Sequence, residues 1–362
     1  MSDKLIKVGV VGLGRGTAIA RCLKGNKHAK LVACCDHNPA TLKKGYDELS
    51  EVLQDKDIIQ FSDYDEFLKS DIDAVIVATE AVYHVPIVKK AFDAGKHVLC
   101  EIPSVNSIEE ARELKDICNA HPELTYMAAE NCCYWAFIQT WKKMHEDGQF
   151  GEIAYAEAEY LHALDPKEFS PTYYPEGHWR TWQPAIRYLT HELGPLLYIM
   201  KDRCVSVTCM EADVHYDPYT PERKETGVAL FKTAKGAVIR LLVSFGAYTS
   251  YDHNYRICGT KGTIETDRRD IVDRSHSLAS LSSIPGTFSA KIDIPVTTCF
   301  EGEDSSGHGG ADAKMVKDFI DCLVEGKRPE LDVDFAIQMS LPGIIAHESA
   351  VQGGMPLEIP EF

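Results

Sequence analysis

Leu5-Ile6-Lys7-Val8-Gly9-Val10-Val11-Gly12-Leu13-Gly14-Arg15-Gly16-Thr17 decides the fold. Residues 5–11 form a short β-branched run that reads as a buried strand. The glycines after it allow a tight turn and a close approach of the backbone to a pyrophosphate at a helix N-terminus. A helix-like run follows over 17–23, and a second apolar strand over 30–35 ends on Asp36. An acid about 20 positions on accepts both hydroxyls of an adenosine ribose, and it repels a 2′-phosphate. Strand, turn, helix, strand and acid in this order point to NAD rather than NADP. Gly12, Gly14, Arg15, Gly16 and Asp36 are the cofactor residues this pattern predicts. Thr17 stands where a third glycine is usual and is expected to face the strand closely. Arg15 either reaches a phosphate or is solvated.

The chain has 362 residues, a length that suits two domains. Its 44% hydrophobic content is ordinary for a globular protein. No apolar run approaches the roughly 20 residues needed to span a bilayer. No export signal precedes the first strand, so a cytoplasmic protein without membrane association is expected. A formal net charge of −17 argues against nucleic acid and anionic membranes as partners. The 12 cysteines include the adjacent pairs Cys34-Cys35 and Cys132-Cys133 but no C-x-x-C. That spacing suggests neither zinc nor a disulfide framework, and most of them are expected in the core. No metal is predicted; His162, His178 and His191 follow no ligand spacing.

Strand and helix continue to alternate. Strands are expected over 58–62, 73–79, 97–100 and 125–129, with helices over 84–94 and 107–119. The last of these opens on a capping-box pattern, Ser107-x-x-Glu110. The fold class is therefore α/β, with a doubly wound parallel sheet over residues 1–130. Residues 131–362 read differently, as an α+β domain on an open, mainly antiparallel sheet. After a helix over 135–146, strands are expected over 153–162, 205–214, 226–231, 237–245, 255–258 and 263–266. One helix over 185–200 interrupts them, residues 268–287 read as a loop, and helices over 312–325 and 335–352 pack back.

In open α/β sheets, ligands bind beyond the carboxyl ends of the strands. The polar residues there are Thr79 with His84 just beyond, Glu101, and Glu130-Asn131. Thr79-x4-His84 and Ala94-Gly95-Lys96-His97-Val98-Leu99-Cys100-Glu101-Ile102-Pro103 resemble the Gfo/Idh/MocA oxidoreductases, such as glucose–fructose oxidoreductase and inositol dehydrogenase. The resemblance implies a Rossmann domain followed by an open-sheet domain. Most members carry Glu-Lys-Pro at this strand end, and their lysine helps to polarise the reacting hydroxyl. Here Ile102 stands in its place and can neither donate a proton nor carry charge.

A narrower resemblance fits this departure. Glu101-Ile102-Pro103, Glu130-Asn131-Cys132-Cys133-Tyr134, Tyr188-x-Thr190-His191-x-Leu193-Gly194-Pro195 and Gly307-His308-Gly309-Gly310-x-Asp312 are similar to motifs of the NAD-dependent α-N-acetylgalactosaminidases. That branch commonly has glycine after its histidine, where this chain has Glu192. The resemblance implies a resident NAD that takes hydride from carbon 3 of a sugar, elimination of the anomeric substituent, addition of water, and return of the hydride. It assigns proton transfer at the carbon-3 hydroxyl to His191 or Tyr188. Tyr134 becomes the base at carbon 2 or the proton donor to the leaving group. Glu101 orients the nicotinamide ribose or the sugar, and Thr79, His84 and Asn131 join the cofactor residues.

The segment Tyr173-Tyr174-x-x-Gly177-His178-Trp179-Arg180-x-Trp182 is rich in aromatic faces and donors, which suits a sugar-binding wall or an interdomain or subunit contact. Tyr160 and His162, at alternate positions of a strand, point to one face, and His308 lies in a glycine-rich loop. His178, Trp179, Arg180, Tyr160, His162 and His308 are thus the expected substrate residues. The expected partner is a small sugar or glycoside. Two rival functions stay open: a net sugar or polyol dehydrogenase, and a non-catalytic sugar or NAD sensor. Family members often form dimers or tetramers through the second-domain sheet, so a homo-oligomer is expected.

Overall fold

The computed structural model describes residues 5–162, 177–246, 249, 251–268, 276–295 and 306–362. The chain divides into two units, one of residues 1–131, 301–337 and 362, the other of 132–300 and 338–361.

The first unit is built on six strands: β1 (Ile6–Val11), β2 (Ala29–Cys35), β3 (Ile59–Phe61), β4 (Ala74–Val77), β5 (His97–Cys100) and β6 (Tyr126–Ala128). They lie in the order β3-β2-β1-β4-β5-β6, and every pair is parallel. All four residues of β4 are buried, as a strand covered on both faces requires. The strand order reverses between β1 and β4, which puts the switch point beside the glycine turn. The helices between strands are α1 (Arg15–Ala20), α2 (Pro39–Leu53), α3 (Tyr64–Leu68), α4 (His84–Asp93) and α5 (Ile108–Ala120). Ser107 caps α5 by accepting the Glu110 N–H at 3.0 Å. The Glu110 carboxylate reaches back to the N–H of Asn106 at 2.7 Å, one residue beyond the usual capping-box partner. Two helices from late in the chain, α8 (Ser306–Gly309) and α9 (Ala311–Glu325), belong to this unit, and α9 packs on α1.

The second unit opens with α6 (Ala136–Glu146) and a nine-stranded sheet. Its strands are β7 (Ile153–Leu161), β8 (Cys204–Glu211), β9 (Thr226–Thr233), β10 (Val238–Ser244), β11 (Asp252–Gly259), β12 (Gly262–Thr266), β13 (His276–Leu281), β14 (Ile292–Pro295) and β15 (Leu357–Glu358). β7 and β10 pair in parallel and the other registered pairs run antiparallel, so the sheet is mixed but mainly antiparallel. Along β9 burial alternates strictly, with Ala229 and Phe231 inside and Val228 and Leu230 outside. Helix α7 (Thr190–Met200) packs on β7 and on α6, and α10 (Val333–Val351) ends before β15.

Two expectations fail here for identifiable reasons. The helix expected over 185–200 is broken: Ala185–Tyr188 is a 3-10 turn, Leu189 leaves the helix, and α7 begins at Thr190. The loop expected over 268–287 contains β13, whose inward residues are Ser277, Ala279 and Leu281. Ser277 is buried and accepts the Trp141 indole N–H at 2.9 Å. Residues 269–275 of that stretch lie outside the described residues. Cys34, Cys35, Cys100, Cys204 and Cys209 are buried, and burial pushes the thiols of Cys34 and Cys35 up to about 12, which keeps them protonated. Among the described residues no helix is long and apolar enough to cross a membrane.

Candidate active site

Gly12 and Gly16 shape the turn after β1. Gly12 has a φ of +85°, and a Cβ there would lie 2.4 Å from the Ala78 carbonyl oxygen. A Cβ on Gly16 would come within 2.9 Å of Val10 Cγ2 and 3.2 Å of Ala78 Cβ. The close helix-to-strand approach therefore falls to Gly16, and the expectation that Thr17 faces the strand is corrected. Thr17 turns its hydroxyl to the Leu13 carbonyl at 2.8 Å and lies against Gly45 of α2. A Cβ on Gly14 would meet nothing within 4 Å, so the middle of the loop is open to a pyrophosphate. Asp36, 8% exposed, accepts the N–H of Leu13 at 2.9 Å on one oxygen and that of Asn38 at 2.8 Å on the other. Each oxygen keeps a second lone pair for a ribose hydroxyl. The donor set and the open loop fit NAD.

Arg15 is held by two carboxylates. Its Nε donates to Glu101 at 2.9 Å, and its two Nη atoms fork onto Asp312 at 2.8 and 2.6 Å. Asp312 also accepts from Asn131 Nδ2 at 3.0 Å and from His308 Nδ1 at 3.2 Å. Burial alone would push the Asp312 carboxyl up, but the His308 and Arg15 hydrogen bonds and charges outweigh it and hold the group well below the carboxylate range. Asp312 was quoted in a motif above without a role, because its main partner lies 297 positions away. The second oxygen of Glu101 accepts the N–H of Ile102 at 2.9 Å. Ile102 is 5% exposed and precedes a cis proline, Pro103. Glu101, Arg15, Asn131 and His308 thus meet around one buried carboxylate.

His84 is not an open cofactor ligand. It is 1% exposed, with Nε2 3.1 Å from the Thr79 carbonyl and Nδ1 3.0 Å from the Pro103 carbonyl. Burial lowers its basicity. The ring ties the segments after β4 and β5 together, and Thr79 itself is half-buried beside it.

The second unit gathers aromatic and imidazole rings on α7, β7 and β11. His191 is half-buried, with Nδ1 3.3 Å from Cys132 Sγ. Tyr188 and Tyr160 meet its ring edge-on at 5.3 and 5.6 Å. Tyr188 and His191, both within the one helix expected over 185–200, lie instead on a 3-10 turn and on the first turn of α7, and their rings touch. Proline at 195 has no N–H to give the His191 carbonyl; the Tyr255 hydroxyl donates to it instead, at 2.7 Å. Tyr160 and His162 do share a face, with ring centroids 5.6 Å apart. Burial holds the Tyr160 phenol well above its ordinary value, so it is neutral, and burial lowers His162 to about 4. Arg180 lies over the rings of Trp179 and Tyr188, at 4.5 and 5.6 Å. His178 accepts the Arg180 N–H at 3.2 Å. Tyr134 is 3% exposed, a core position where proton exchange with a substrate was expected. Tyr173 and Tyr174 lie outside the described residues. Sequence reasoning missed Tyr251 and His253, although the alternation Tyr251-x-His253-x-Tyr255 on a strand was there to be read.

Comparison with known proteins agrees with the fold. Residues 6–129 match the oxidoreductase family with an NAD-binding Rossmann fold, residues 138–265 the Gfo/Idh/MocA C-terminal domain, and residues 224–362 the C-terminal domain of glycosyl hydrolase 109. A glycosyl hydrolase family 109 protein of Streptomyces filamentosus is 30% identical over 99% of this chain and 77% of its own length. One from Solibacter usitatus is 28% identical over 99% and 88%. Among solved structures, levoglucosan dehydrogenase with NADH and levoglucosan superposes with a TM-score of 0.83 at 20% identity, over 99% of this chain and 100% of that one. Myo-inositol 2-dehydrogenase from Lactobacillus plantarum gives 0.79 at 20%, with the same coverage. The first unit is a NAD-binding Rossmann domain, and the protein is an oxidoreductase-type enzyme that uses NAD.

Proposed function

The chain belongs to glycosyl hydrolase family 109, within the Gfo/Idh/MocA oxidoreductases, and we propose that it cleaves a glycoside by transient oxidation at sugar carbon 3, with NAD retained through the turnover. When bound, NAD supplies acceptance and return of a hydride. The remaining chemistry is proton handling by this chain.

One observation carries the reading: His191 is reachable and set edge-on between two tyrosines. A neutral imidazole there takes the carbon-3 hydroxyl proton as the hydride departs. The resulting ketone acidifies the hydrogen on carbon 2 through enolate delocalisation. Elimination then releases the anomeric substituent, water adds, and the ketone is reduced. This route bypasses an oxocarbenium-like transition state, so the carboxylate pair of ordinary glycosidases is unnecessary. Ile102 fits the assignment, since the apolar side chain at the end of β5 moves no proton. Tyr188, with Arg180 over its ring, offers an aromatic face for the C–H side of a sugar. Glu101 and Asn131, tied to Arg15 and Asp312, shape the cofactor pocket and exchange no proton. In H191Q, formation of reduced nicotinamide in a single turnover should slow by about 10³-fold with NAD affinity unchanged. An unchanged rate contradicts the role given to His191.

A further inference from the structure

Elimination needs a second proton-transfer group, distinct from the base at the carbon-3 hydroxyl. Three side chains in the second unit form a chain of the right kind. Glu192 is wholly buried, and its Oε1 lies 2.7 Å from His253 Nδ1. His253 is 1% exposed, and its Nε2 lies 2.7 Å from the Tyr251 hydroxyl. Tyr251 is 44% exposed, so only this end of the chain opens outward. Its ring touches His162 at 4.8 Å and Tyr160 at 6.1 Å, and His191 lies 6.1 Å from His253. The outward end therefore belongs to the same ring cluster as His191.

As a carboxylate, Glu192 accepts only, and Nδ1 of His253 then carries its proton. Nε2 of a neutral imidazole is then an acceptor, and the Tyr251 hydroxyl donates to it. Tyr160 stacks flat on His253 at 4.3 Å and Trp135 meets it edge-on at 5.0 Å, which holds the ring in this orientation. A buried carboxylate, an oriented imidazole and the hydroxyl of a half-exposed tyrosine are the parts of a proton relay.

We propose that Glu192, His253 and Tyr251 form that relay and that Tyr251 exchanges the carbon-2 and leaving-group protons of the sugar; this rests on the function proposed above. The C2–H bond breaks, and its proton goes to the Tyr251 oxygen while the phenolic proton passes to His253 Nε2. The electron pair of that bond forms the C1=C2 double bond, and the C1–O bond breaks with its pair on the departing oxygen. The reverse shift, from His253 through Tyr251, delivers one proton to that oxygen, so the relay ends neutral. Glu192 stabilises the imidazolium between the two shifts. Sequence comparison marked Glu192 as a departure from the branch, and the geometry assigns it this work.

Y251F, altered only at one hydroxyl, and E192Q test the relay. Both should lower turnover and carbon-2 deuterium exchange in heavy water together, by about 10²-fold, while nicotinamide reduction in a single turnover keeps its rate. A downfield proton resonance from His253 Nδ1–H should be present in the wild-type protein and in Y251F, and lost in E192Q. Unchanged exchange in Y251F, or loss of hydride transfer in step with exchange, overturns the catalytic use of the relay. Absence of the resonance from the wild type overturns the relay itself, whatever the substrate. If no glycoside reduces the wild-type cofactor, the proposed function fails and takes the catalytic use with it, and the resonance still decides whether the relay exists.

Discussion

Asp312 is the point at which the polar groups of the first unit converge. It is fully buried and accepts from Arg15, Asn131 and His308. Removing one partner of such a cluster strands the other charge, so D312N should cost about 2–4 kcal/mol in denaturant unfolding at neutral pH. The sign with pH follows from linkage. The folded carboxyl is held below its ordinary value of 3.8, so its stabilisation is complete above that pH and fades as pH falls beneath it. The gap between wild type and D312N should therefore close in acid. A gap that stays constant from neutral pH into acid contradicts the assignment. None of this was legible in the sequence: Arg15 was open to a phosphate or to solvent there, because its carboxylate partners are 86 and 297 positions distant.

At the scale of elements, local pattern carried further. The apolar run of β4 is a direct consequence of two-sided burial and was readable, whereas the alternate burial of β9 was not, since Val228 and Leu230 on its outer side are as apolar as Ala229 and Phe231 inside. The α7 region was readable only in part. Its apolar residues continue through the break at Leu189, so periodicity alone joins two elements that the backbone separates. The missed strand β13 shows the opposite limit, since a serine reads as loop until its buried partner, Trp141, is known. Pro195 makes the first turn of α7 depend on a distant hydroxyl. Y255F removes the donor to the His191 carbonyl, and should cost about 1–2 kcal/mol of stability. It should also slow hydride transfer, because His191 sits on the loosened turn. Full activity in a destabilised Y255F separates the two effects and removes the hydroxyl from the positioning of His191.

At the scale of the whole molecule, the glycine turn and Asp36 belong to a NAD-binding domain, and the function proposed above gives that domain a retained cofactor. An ordinary dehydrogenase consumes NAD stoichiometrically. The cycle proposed here oxidises and reduces the same sugar, and every turnover opens the bond between carbon 2 and its hydrogen. Turnover of a panel of aryl glycosides in heavy water, with excess NAD, tests this most directly. The account predicts release of the aryl group, a deuteron at carbon 2 of the liberated sugar, and no steady accumulation of reduced nicotinamide. Steady accumulation of reduced nicotinamide in proportion to sugar consumed, or aryl release with protium retained at carbon 2, would contradict it.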